Sequence, residues 1–287
     1  MSLNKQDDIC AGIVMFNPDI DRLRRNVESI KGQVSAIIFA DNGSKNQAEI
    51  ANYLDTLTVE HCLIQNDENR GIAVALNQIM AAADERGMQW VLTLDHDSVC
   101  PPNLVATYRK CLATPNLGLL SPRINDRNFG PLTPADATGV ESIKECITSG
   151  ALTSTEAWKA VGGFDENLFI DGVDTEFCYR LRSRGFDVVR TNDIALLHEI
   201  GKNARIITLC GHRFIVYNHA PFRYFYITRN LIYIAKKHKD YERPQFIKVP
   251  LIILIRFVLT WLYEKQKWAK TKAICRGIAA GIKMKAL

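Results

Sequence analysis

A chain of 287 residues is long enough for one α/β domain with an additional segment, and a composition of 47% hydrophobic and 23% charged residues is that of a folded protein. The same values exclude a disordered or low-complexity chain. The formal charge of +5 is unevenly distributed, because residues 201–287 carry 18 basic and 3 acidic side chains while residues 1–200 are net acidic, so we expect the basic end to face a polyanion.

The first half of the sequence alternates short apolar runs with amphipathic stretches, which predicts βαβ units and a mixed, mostly parallel sheet flanked by helices. The predicted strands cover residues 9–16, 36–40, 62–65, 90–94 and 117–121. Helices are predicted over residues 21–30, 47–57 and 72–86. Because ligands bind at the carboxyl ends of such strands, the polar residues directly after each apolar run are candidates for a site.

The pattern is less regular beyond residue 122. Residues 126–138 are rich in Pro, Gly, Asn and Asp and predict a loop. We then expect a strand over 150–153, a helix over 155–161, a Gly-Gly turn at 162–165, a helix over 174–184, a strand near 188–190 and long helices from residue 221. The chain is therefore predicted to comprise an α/β domain over residues 1–215 and a helical, basic region over residues 216–287.

The basic region contains an apolar run from Val249 to Tyr263 that Arg256 interrupts. A membrane-spanning helix needs roughly 20 apolar residues, and this run is shorter. The basic residues that follow are Lys265, Lys267, Lys270, Lys272 and Arg276. This order predicts a helix that lies on an anionic membrane surface rather than one that binds nucleic acid. A buried core helix with a solvated basic end is the alternative interpretation.

The eight cysteines are scattered, without the close pairs that zinc sites and redox motifs use. The segment Met1–Asp8 is polar and lacks the apolar stretch of a secretory signal. Both features predict reduced thiols and a cytoplasmic protein, with peripheral association at the inner face of the cytoplasmic membrane through the basic region.

The triplet Asp95-His96-Asp97 follows the apolar run at residues 90–94. On an extended segment its two carboxylates point to the same side, and a divalent cation removes their repulsion. Oxygen ligands suit Mg²⁺ or Mn²⁺, which keep positions open for substrate phosphates and stabilise a diphosphate leaving group. The alternative interpretation is a pair of solvated surface acids.

Other short motifs accompany this triplet in order along the chain. They are Val14-Met15-Phe16-Asn17-Pro18, Asp41-Asn42-Gly43-Ser44, Asn69-Arg70-Gly71-Ile72-Ala73 with Asn77, Leu94-Asp95-His96-Asp97-Ser98, Ser149-Gly150, Gly162-Gly163-Phe164-Asp165-Glu166, and Asp174-Thr175-Glu176 leading to Arg180. Each motif alone is unspecific. Together and in this order, they resemble the family-2 inverting glycosyltransferases of the GT-A fold, a Rossmann-like nucleotide-binding α/β fold, and in particular bacterial rhamnosyltransferases.

For the donor nucleotide, the resemblance implies that Asp41 accepts a hydrogen bond from the imide of uracil or thymine. It places Asn17 near the base and ribose. The other implied donor residues are Phe16, Asn69, Arg70, Gly71, Asp95 and His96. Asp41 could instead serve only as the cap of the turn that follows it.

For the reaction, the resemblance implies that a carboxylate takes the proton of the acceptor hydroxyl, and Asp174 is the candidate for this general base. The family's preceding glutamate is replaced by Val173. The run Asp171 to Glu176 instead matches the Asp-x-x-Asp-x-Glu arrangement of the rhamnosyltransferase subgroup, so Asp171 is the second candidate for the base. The structural alternative for Asp174 is the N-cap of the following helix.

The remaining implied roles concern the acceptor and the metal ion. Gly150, Asp165 and Glu176 are implied on the acceptor side. The implied metal ligands are Asp95, Asp97 and His198, with Mg²⁺ or Mn²⁺ as the cofactor. His198 could instead have a purely structural role.

The resemblance implies a metal-dependent enzyme that moves L-rhamnose from dTDP-rhamnose to a lipid-linked or oligosaccharide acceptor in bacterial cell-surface polysaccharide synthesis. A UDP-hexose is the alternative donor. Two other classes stay open. A nucleotidyltransferase would need a Gly-rich basic loop after the first strand, where this chain has Asn17-Pro18-Asp19. The other class is a non-catalytic membrane-binding protein, for which Asp97→Ala would leave every measurable activity unchanged because none exists.

Overall fold

The computed structural model describes residues 8–126, 130–131, 137–198, 204–209, 212–241 and 243–285, without the side chains of residues 198, 209, 212–213 and 243–246. The chain divides into two compact units. Unit 1 is Met1–Asn167 with Phe177–Glu199, and unit 2 is Leu168–Glu176 with Ile200–Leu287. The boundary predicted after residue 215 stays a prediction, because compactness alone does not define an independently folding domain.

The strands are β1 Ile9–Met15, β2 Ile37–Asp41, β3 His61–Gln65, β4 Trp90–Asp95, β5 Leu117–Asp126, β6 Gly130–Pro131, β7 Val140–Ser142, β8 Ala151–Ser154, β9 Asp187–His198, β10 Arg205–Leu209 and β11 His212–Val216. The helices are α1 Ile20–Ile30, α2 Gln47–Leu54, α3 Ile72–Glu85, α4 Leu104–Cys111, α5 Thr155–Ala160, α6 Val173–Ser183, α7 Pro221–Lys237, α8 Arg243–Tyr263 and α9 Lys267–Lys283.

Unit 1 is built on one mixed sheet with the strand order β3-β2-β1-β4-β8-β5-β9-β7, and β6 pairs with β5. The pairs β3–β2, β2–β1, β1–β4 and β5–β9 are parallel, and β8 runs antiparallel to both β4 and β5. The predicted mixed, mostly parallel sheet flanked by helices is therefore confirmed. Its consequence is that β1, β2, β3 and β4 end at one edge, which we call the donor edge.

The local sequence explains why the elements at this edge form. Every residue of β1 and of β2 is buried, as expected for central strands covered on both faces. Helix α1 buries Leu23, Val27 and Ile30, which recur at helical spacing, and each such burial contributes about 1.5–3 kcal/mol. The side chain of Asp19 accepts the backbone N–H of Arg22 at 3.0 Å and caps the helix.

Several elements differ from the sequence-based expectation. Helix α4 and strand β7 were not predicted, and neither was the antiparallel hairpin of β10 and β11. Strand β9 is longer than the predicted 188–190, because a register shift at Pro122/Arg123 lets its second half continue along β5. Within the predicted loop 126–138, Gly130 and Pro131 pair with β5.

In unit 2, helices α7 and α9 pack closely through two glycines. A Cβ atom on Gly277 would lie 2.7 Å from the carbonyl oxygen of Phe225, and one on Gly281 would lie 2.7 Å from that of Arg229. The Lys236 ammonium donates to the carbonyls of Ile282 at 2.8 Å and Met284 at 2.6 Å, next to the negative end of α9. Among the described residues, we find no helix with the length and apolar content that crossing a membrane requires.

Candidate functional site

A turn at Asp41–Ser44 forms the centre of the donor edge. Asp41 is only 1% exposed, and its carboxylate oxygens accept the backbone N–H of Ser44 at 3.2 and 3.4 Å. Gly43 has φ +79°, and a Cβ there would lie 2.5 Å from the backbone carbon of Glu68. A glycine is therefore required for the turn to approach the loop after β3.

Asn42 joins this turn to the loop of residues 66–71. Its amide nitrogen donates to Asn69 Oδ1 at 3.0 Å and to the carbonyl of Gly71 at 3.1 Å. Its amide oxygen accepts the backbone N–H of Arg70 at 3.0 Å and the side-chain amide of Asn66 at 3.3 Å. The predicted donor residues Asn69, Arg70 and Gly71 are thus all held by one side chain, which the sequence-based list of site residues does not contain.

Phe16 and Asn17 lie at the end of β1, beside the same turn. Asn17 has φ +48°; its N–H donates to Ser44 Oγ at 2.7 Å, and its amide oxygen accepts the N–H of Lys45 at 2.8 Å. Phe16 is 44% exposed. The end of β1 therefore presents an exposed ring next to a rigid turn. The implied contacts of Phe16 and Asn17 with the donor nucleotide stay predictions.

Asp95 is the last residue of β4, and the chain turns directly after it. The N–H of Ser98 donates to the carbonyl of Asp95 at 3.2 Å, so the expectation of an extended Asp95–Asp97 segment was wrong. The side-chain amide of Asn26 donates to the carbonyls of Asp95 at 2.9 Å and Ser98 at 2.7 Å and holds the turn. Ser98 and Ser149 join their hydroxyls at 2.7 Å beneath it.

The carboxylate of Asp97 forms an ion pair with the guanidinium of Arg22 at 3.5 Å, and the two side chains are 32% and 31% exposed. This contact is long and partly solvated, so a stronger cation can compete with it. No group of three or more His, Cys, Asp or Glu side chains suited to a metal ion occurs within the described residues, and the side chain of His198 lies outside them.

The oxygen ligands of Asp95 and Asp97 nevertheless fit Mg²⁺. This ion is commonly bound by one or two carboxylates and completes its coordination with water and substrate phosphates. The residues therefore suit an ion shared with a diphosphate, and not an ion enclosed by protein ligands alone. His96 lies in the same turn and is partly exposed.

In unit 2, residues 168–176 form a segment that contains Asp171, Asp174 and Glu176, and we call it the acid segment. Asp171 has φ +67°, a conformation that is uncommon for a residue with a side chain. Arg223 donates from Nε to Asp171 Oδ2 at 3.2 Å and from its second nitrogen to Oδ1, a bidentate pair. The side-chain amide of Asn230 donates to the carbonyls of Ile170 at 2.8 Å and Asp171 at 2.6 Å.

Glu176 is fully buried. Its carboxylate contacts the Lys237 ammonium at 3.0 Å and His238 Nε2 at 3.2 Å. A buried charge requires such partners, and removing one of them is costly. Glu176 therefore anchors the acid segment in this structure, and its implied acceptor contact stays a prediction.

One face of α7 holds the whole acid segment. Tyr226 stacks on Phe169 with ring centroids 5.1 Å apart, and Ile234 lies where a Cβ on Gly172 would meet it at 2.8 Å. The contacting residues of α7 recur every three or four positions, as one helical face requires. They are Arg223, Tyr226, Asn230, Ile234 and Lys237.

Asp174 lies in the first turn of α6. It is therefore not the N-cap residue, which would directly precede the helix. One of its oxygens accepts the N–H of Thr175 at 2.9 Å. The positive end of the helix dipole favours a carboxylate there. The general-base roles of Asp174 and Asp171 stay predictions.

Two residues implied on the acceptor side have structural contacts in unit 1. Asp165 is mostly buried and accepts the backbone and side-chain N–H groups of Asn167 at 3.0 and 2.9 Å. Gly150 has φ +81°, and a Cβ there would lie 2.8 Å from Leu196 Cδ2. Its carbonyl accepts the hydroxyl of Tyr108 at 2.6 Å. Their acceptor contacts stay predictions.

His219 contacts the guanidinium that binds Asp171. Arg223 lies 3.4 Å from His219 Nδ1, and the imidazole stacks on Tyr217. Burial, followed by the positive charge of Arg223, lowers the pKa of His219 from 6.5 to about 4. The imidazole is therefore neutral at pH 7 and able to accept a hydrogen bond from Arg223.

Two comparisons concern the sequence. Residues 10–128 match the sequence model of Glycosyl transferase family 2. The dTDP-rhamnosyl transferase RfbF of Shigella flexneri is 27% identical over 267 residues, which cover 88% of this chain and 85% of that protein. The predicted resemblance to family-2 glycosyltransferases, and to a rhamnosyl transferase among them, is confirmed by both comparisons.

Two solved proteins share the fold. The structure of S. aureus TarS 1–349 has a TM-score of 0.64 at 11% identity and covers 96% of this chain and 81% of its own, and its complex with UDP has a TM-score of 0.57. The structure of GalNAc-T7 with UDP, GalNAc and Mn²⁺ has a TM-score of 0.60 at 14% identity and covers 98% of this chain and 57% of its own. These likenesses confirm the predicted GT-A fold.

The depressed pKa of His219 predicts a pH-dependent stability. Between pH 6.5 and about 4 the unfolded chain binds a proton on this residue and the folded chain does not, so the free energy of unfolding should fall as the pH is lowered through this window. A shift is worth about 1.4 kcal/mol per unit, less for a partly exposed group, so His219→Gln should reduce the loss by about 1–2 kcal/mol. Urea unfolding at pH 6.5 and at about pH 4 measures the free energy of unfolding of the wild-type protein and of His219→Gln. An equal loss of this free energy in the two proteins would contradict the lowered pKa of His219.

Proposed function

We propose that this family-2 glycosyltransferase transfers L-rhamnose from dTDP-rhamnose, with inversion, to a hydroxyl of a lipid-linked or oligosaccharide acceptor in the synthesis of a bacterial surface polysaccharide. The observation that carries the proposal is the donor edge, where the turn at Asp41–Ser44 and the acids Asp95 and Asp97 lie at the ends of β2 and β4, the two parallel neighbours of β1. The similarity to RfbF over most of both chains supports the rhamnosyl donor. A UDP-hexose is the second candidate, because TarS and GalNAc-T7 are both known with UDP.

At the donor edge, the exposed ring of Phe16 offers a surface for the base, and Asn17 lies beside it. Asp41 would accept the imide N–H of thymine or uracil with the lone pairs that its Ser44 contact leaves over. The backbone of Arg70 and Gly71, held by Asn42, forms the wall toward the diphosphate. Both bases carry the same imide, so this contact does not select between the two donors.

Asp95 and Asp97 would hold Mg²⁺ or Mn²⁺, with His198 as a third ligand and His96 toward the diphosphate. When bound, such an ion neutralises the charge that develops on the leaving diphosphate. Arg22 lies within ion-pair distance of Asp97 and would become available to the phosphates once Asp97 binds a cation. A guanidinium suits phosphate oxygens because it donates two parallel hydrogen bonds.

For the chemical step, the acceptor oxygen forms a bond to the anomeric carbon while the bond from that carbon to the diphosphate oxygen breaks. The hydroxyl proton passes to a carboxylate, and dTDP leaves. We assign this base to Asp174, which lies in the first turn of α6 at the position of the aspartate that the resemblance implies. Asp171 is the second candidate, and Arg223 binds both of its oxygens. Asp171 and Glu176 would then position the acid segment, while Asp165 and Gly150 belong to the acceptor side of unit 1.

Unit 2 would place the enzyme on an anionic membrane. Helix α8 exposes apolar side chains spaced by three or four residues along one face, which we call the α8 stripe: Ile247, Leu251, Leu254, Val258 and Leu262. Trp268, the second residue of α9, is 76% exposed. Residues 265–287 contain basic residues and no Asp or Glu. An exposed apolar stripe beside cations matches the chemistry of an anionic bilayer surface.

Donor binding should depend on the metal ion. We expect dTDP to bind about tenfold or more tightly with Mn²⁺ than in chelator, and Asp97→Asn to lose most of that difference, because the ion joins the carboxylates to the phosphates. Calorimetry measures both affinities, and thermal shifts with dTDP-rhamnose and a UDP-hexose distinguish the donors. Asp84→Asn, a surface acid paired with Lys159, is the control. Equal affinity of the wild-type protein in chelator would refute the metal site.

Donor hydrolysis, with water in place of the acceptor, tests the base. Asp174→Asn should bind dTDP normally but lower the rate by about 10²–10⁴-fold and lose the acidic limb of the pH–rate profile. Asp171→Asn should lower the rate through a loosened acid segment and keep that limb. If Asp171→Asn lost the acidic limb and Asp174→Asn kept it, Asp171 would be the base instead.

Membrane binding should require the α8 stripe. We expect wild-type protein to float with vesicles that contain phosphatidylglycerol, and less of it to float as salt is raised, because the Lys and Arg contacts are screened. Leu251→Glu with Leu254→Glu should abolish flotation. Leu63→Glu, at an exposed leucine of β3, is the matched control. Flotation that is insensitive to the double substitution would exclude this surface.

A further inference from the structure

Unit 2 contains an apolar cavity of about 200 Å³ whose lining residues have no role in the steps described above. It lies between β11, α7 and α8 and the residue that follows α8. Its walls are formed by Phe214, Ile215, Tyr217, Tyr224, Ile252, Ile255, Arg256, Leu259 and Glu264. A nucleotide sugar needs a larger and more polar site, since pockets for ligands of that size are typically about 300–1,000 Å³. The cavity therefore suits part of a smaller, mainly apolar molecule.

Arg256 introduces a positive charge into this apolar wall. Its Nε atom is buried and has no hydrogen-bond partner among the residues that the structure describes. Leaving a buried donor unpaired costs about 1–3 kcal/mol, more for a charged group. An anionic group bound in the cavity would remove this cost, because phosphate oxygens accept hydrogen bonds from a guanidinium in a bidentate geometry.

The other charged group of the wall is already neutralised. Glu264 accepts hydrogen bonds from the Lys270 ammonium at 2.7 Å and from the hydroxyl of Tyr224, and Lys270 is itself buried. Lys270 also donates to Asn218 Oδ1 at 2.7 Å. These contacts compensate the carboxylate within the protein, so Arg256 supplies the positive charge to which a ligand in the cavity can bind.

Helix α8 connects this cavity to the α8 stripe. Ile252, Ile255 and Leu259 line the cavity, and each is next in sequence to a residue of the stripe. Adjacent residues of a helix point about 100° apart, so one side of α8 faces outward while the neighbouring side lines the cavity. A molecule lying in a membrane against the stripe can therefore reach the cavity along the same helix.

From these observations we infer that the cavity binds a lipid phosphate taken from the membrane, with its apolar chain against Ile252, Ile255 and Leu259 and its phosphate on Arg256. No covalent step is involved. The inference rests on the proposed function in one respect, which is that the acceptor is linked to a lipid. It assigns the apolar end of that acceptor to this cavity of unit 2.

The test uses the full chain and three soluble probes, decyl phosphate, decanol and inorganic phosphate, with calorimetry. Decyl phosphate should bind about tenfold to a hundredfold more tightly than either of the others, as expected for one charge-assisted interaction added to an apolar contact. Arg256→Gln should reduce decyl phosphate to the affinity of decanol. Ile255→Trp, which fills the cavity, should weaken both chain-bearing probes, and Lys272→Gln, at an exposed lysine of α9, is the matched control.

Several outcomes would overturn the inference. Inorganic phosphate binding as tightly as decyl phosphate would indicate a free-phosphate site, and unchanged binding in Arg256→Gln would exclude the guanidinium. Absence of decyl phosphate binding by a wild-type protein that still binds dTDP with Mn²⁺ would remove the lipid site and leave the proposed transfer reaction intact. If the wild-type protein bound decyl phosphate but did not bind dTDP with Mn²⁺, the lipid site would be supported and the proposed transfer reaction would be refuted.

Discussion

The hydrogen bonds of the Asn42 side chain are the interaction on which the donor edge depends. One buried amide satisfies two acceptors and two donors on the loop after β3, and the parallel pairing of β1, β2 and β3 places that loop beside it. Each bond contributes about 0.5–1.5 kcal/mol, and a substitution that leaves its partners buried and unpaired costs more. The backbone of Arg70 and Gly71 is thereby held in place before any ligand binds, which reduces the entropy lost on binding.

The acid segment is organised on a different principle. Its residues do not form a regular element before α6, and Asp171 adopts an uncommon backbone conformation. That conformation is maintained by α7, whose Arg223, Asn230 and Lys237 bind the segment at three points. Strained backbone persists only where its surroundings determine it fully, and such places are typical of functional sites. The buried pair of Glu176 with Lys237 makes this arrangement costly to break.

Unit 2 pairs its buried charges internally and exposes apolar side chains on its surface. The Lys270 and Glu264 charges are paired inside the unit, and Lys236 caps α9 from α7. The apolar residues of the α8 stripe and Trp268 are left facing outward. The α8 stripe and the basic residues after α8 are the two features on which the proposed association with an anionic membrane depends.

The sequence by itself predicted the order of the first strands and helices, the resemblance to family-2 glycosyltransferases and the candidate acids, because apolar periodicity and short motifs are local properties of the chain. It did not predict α4, the β10–β11 hairpin or the second half of β9, since these form through pairing and burial against distant residues. Only the tertiary structure decided that Asn42 organises the donor edge, that Asp95–Asp97 is a turn held by Asn26, and that Arg223 engages both oxygens of Asp171. Each of these contacts joins residues at least 24 positions apart in the sequence, and no local pattern encodes such a distance.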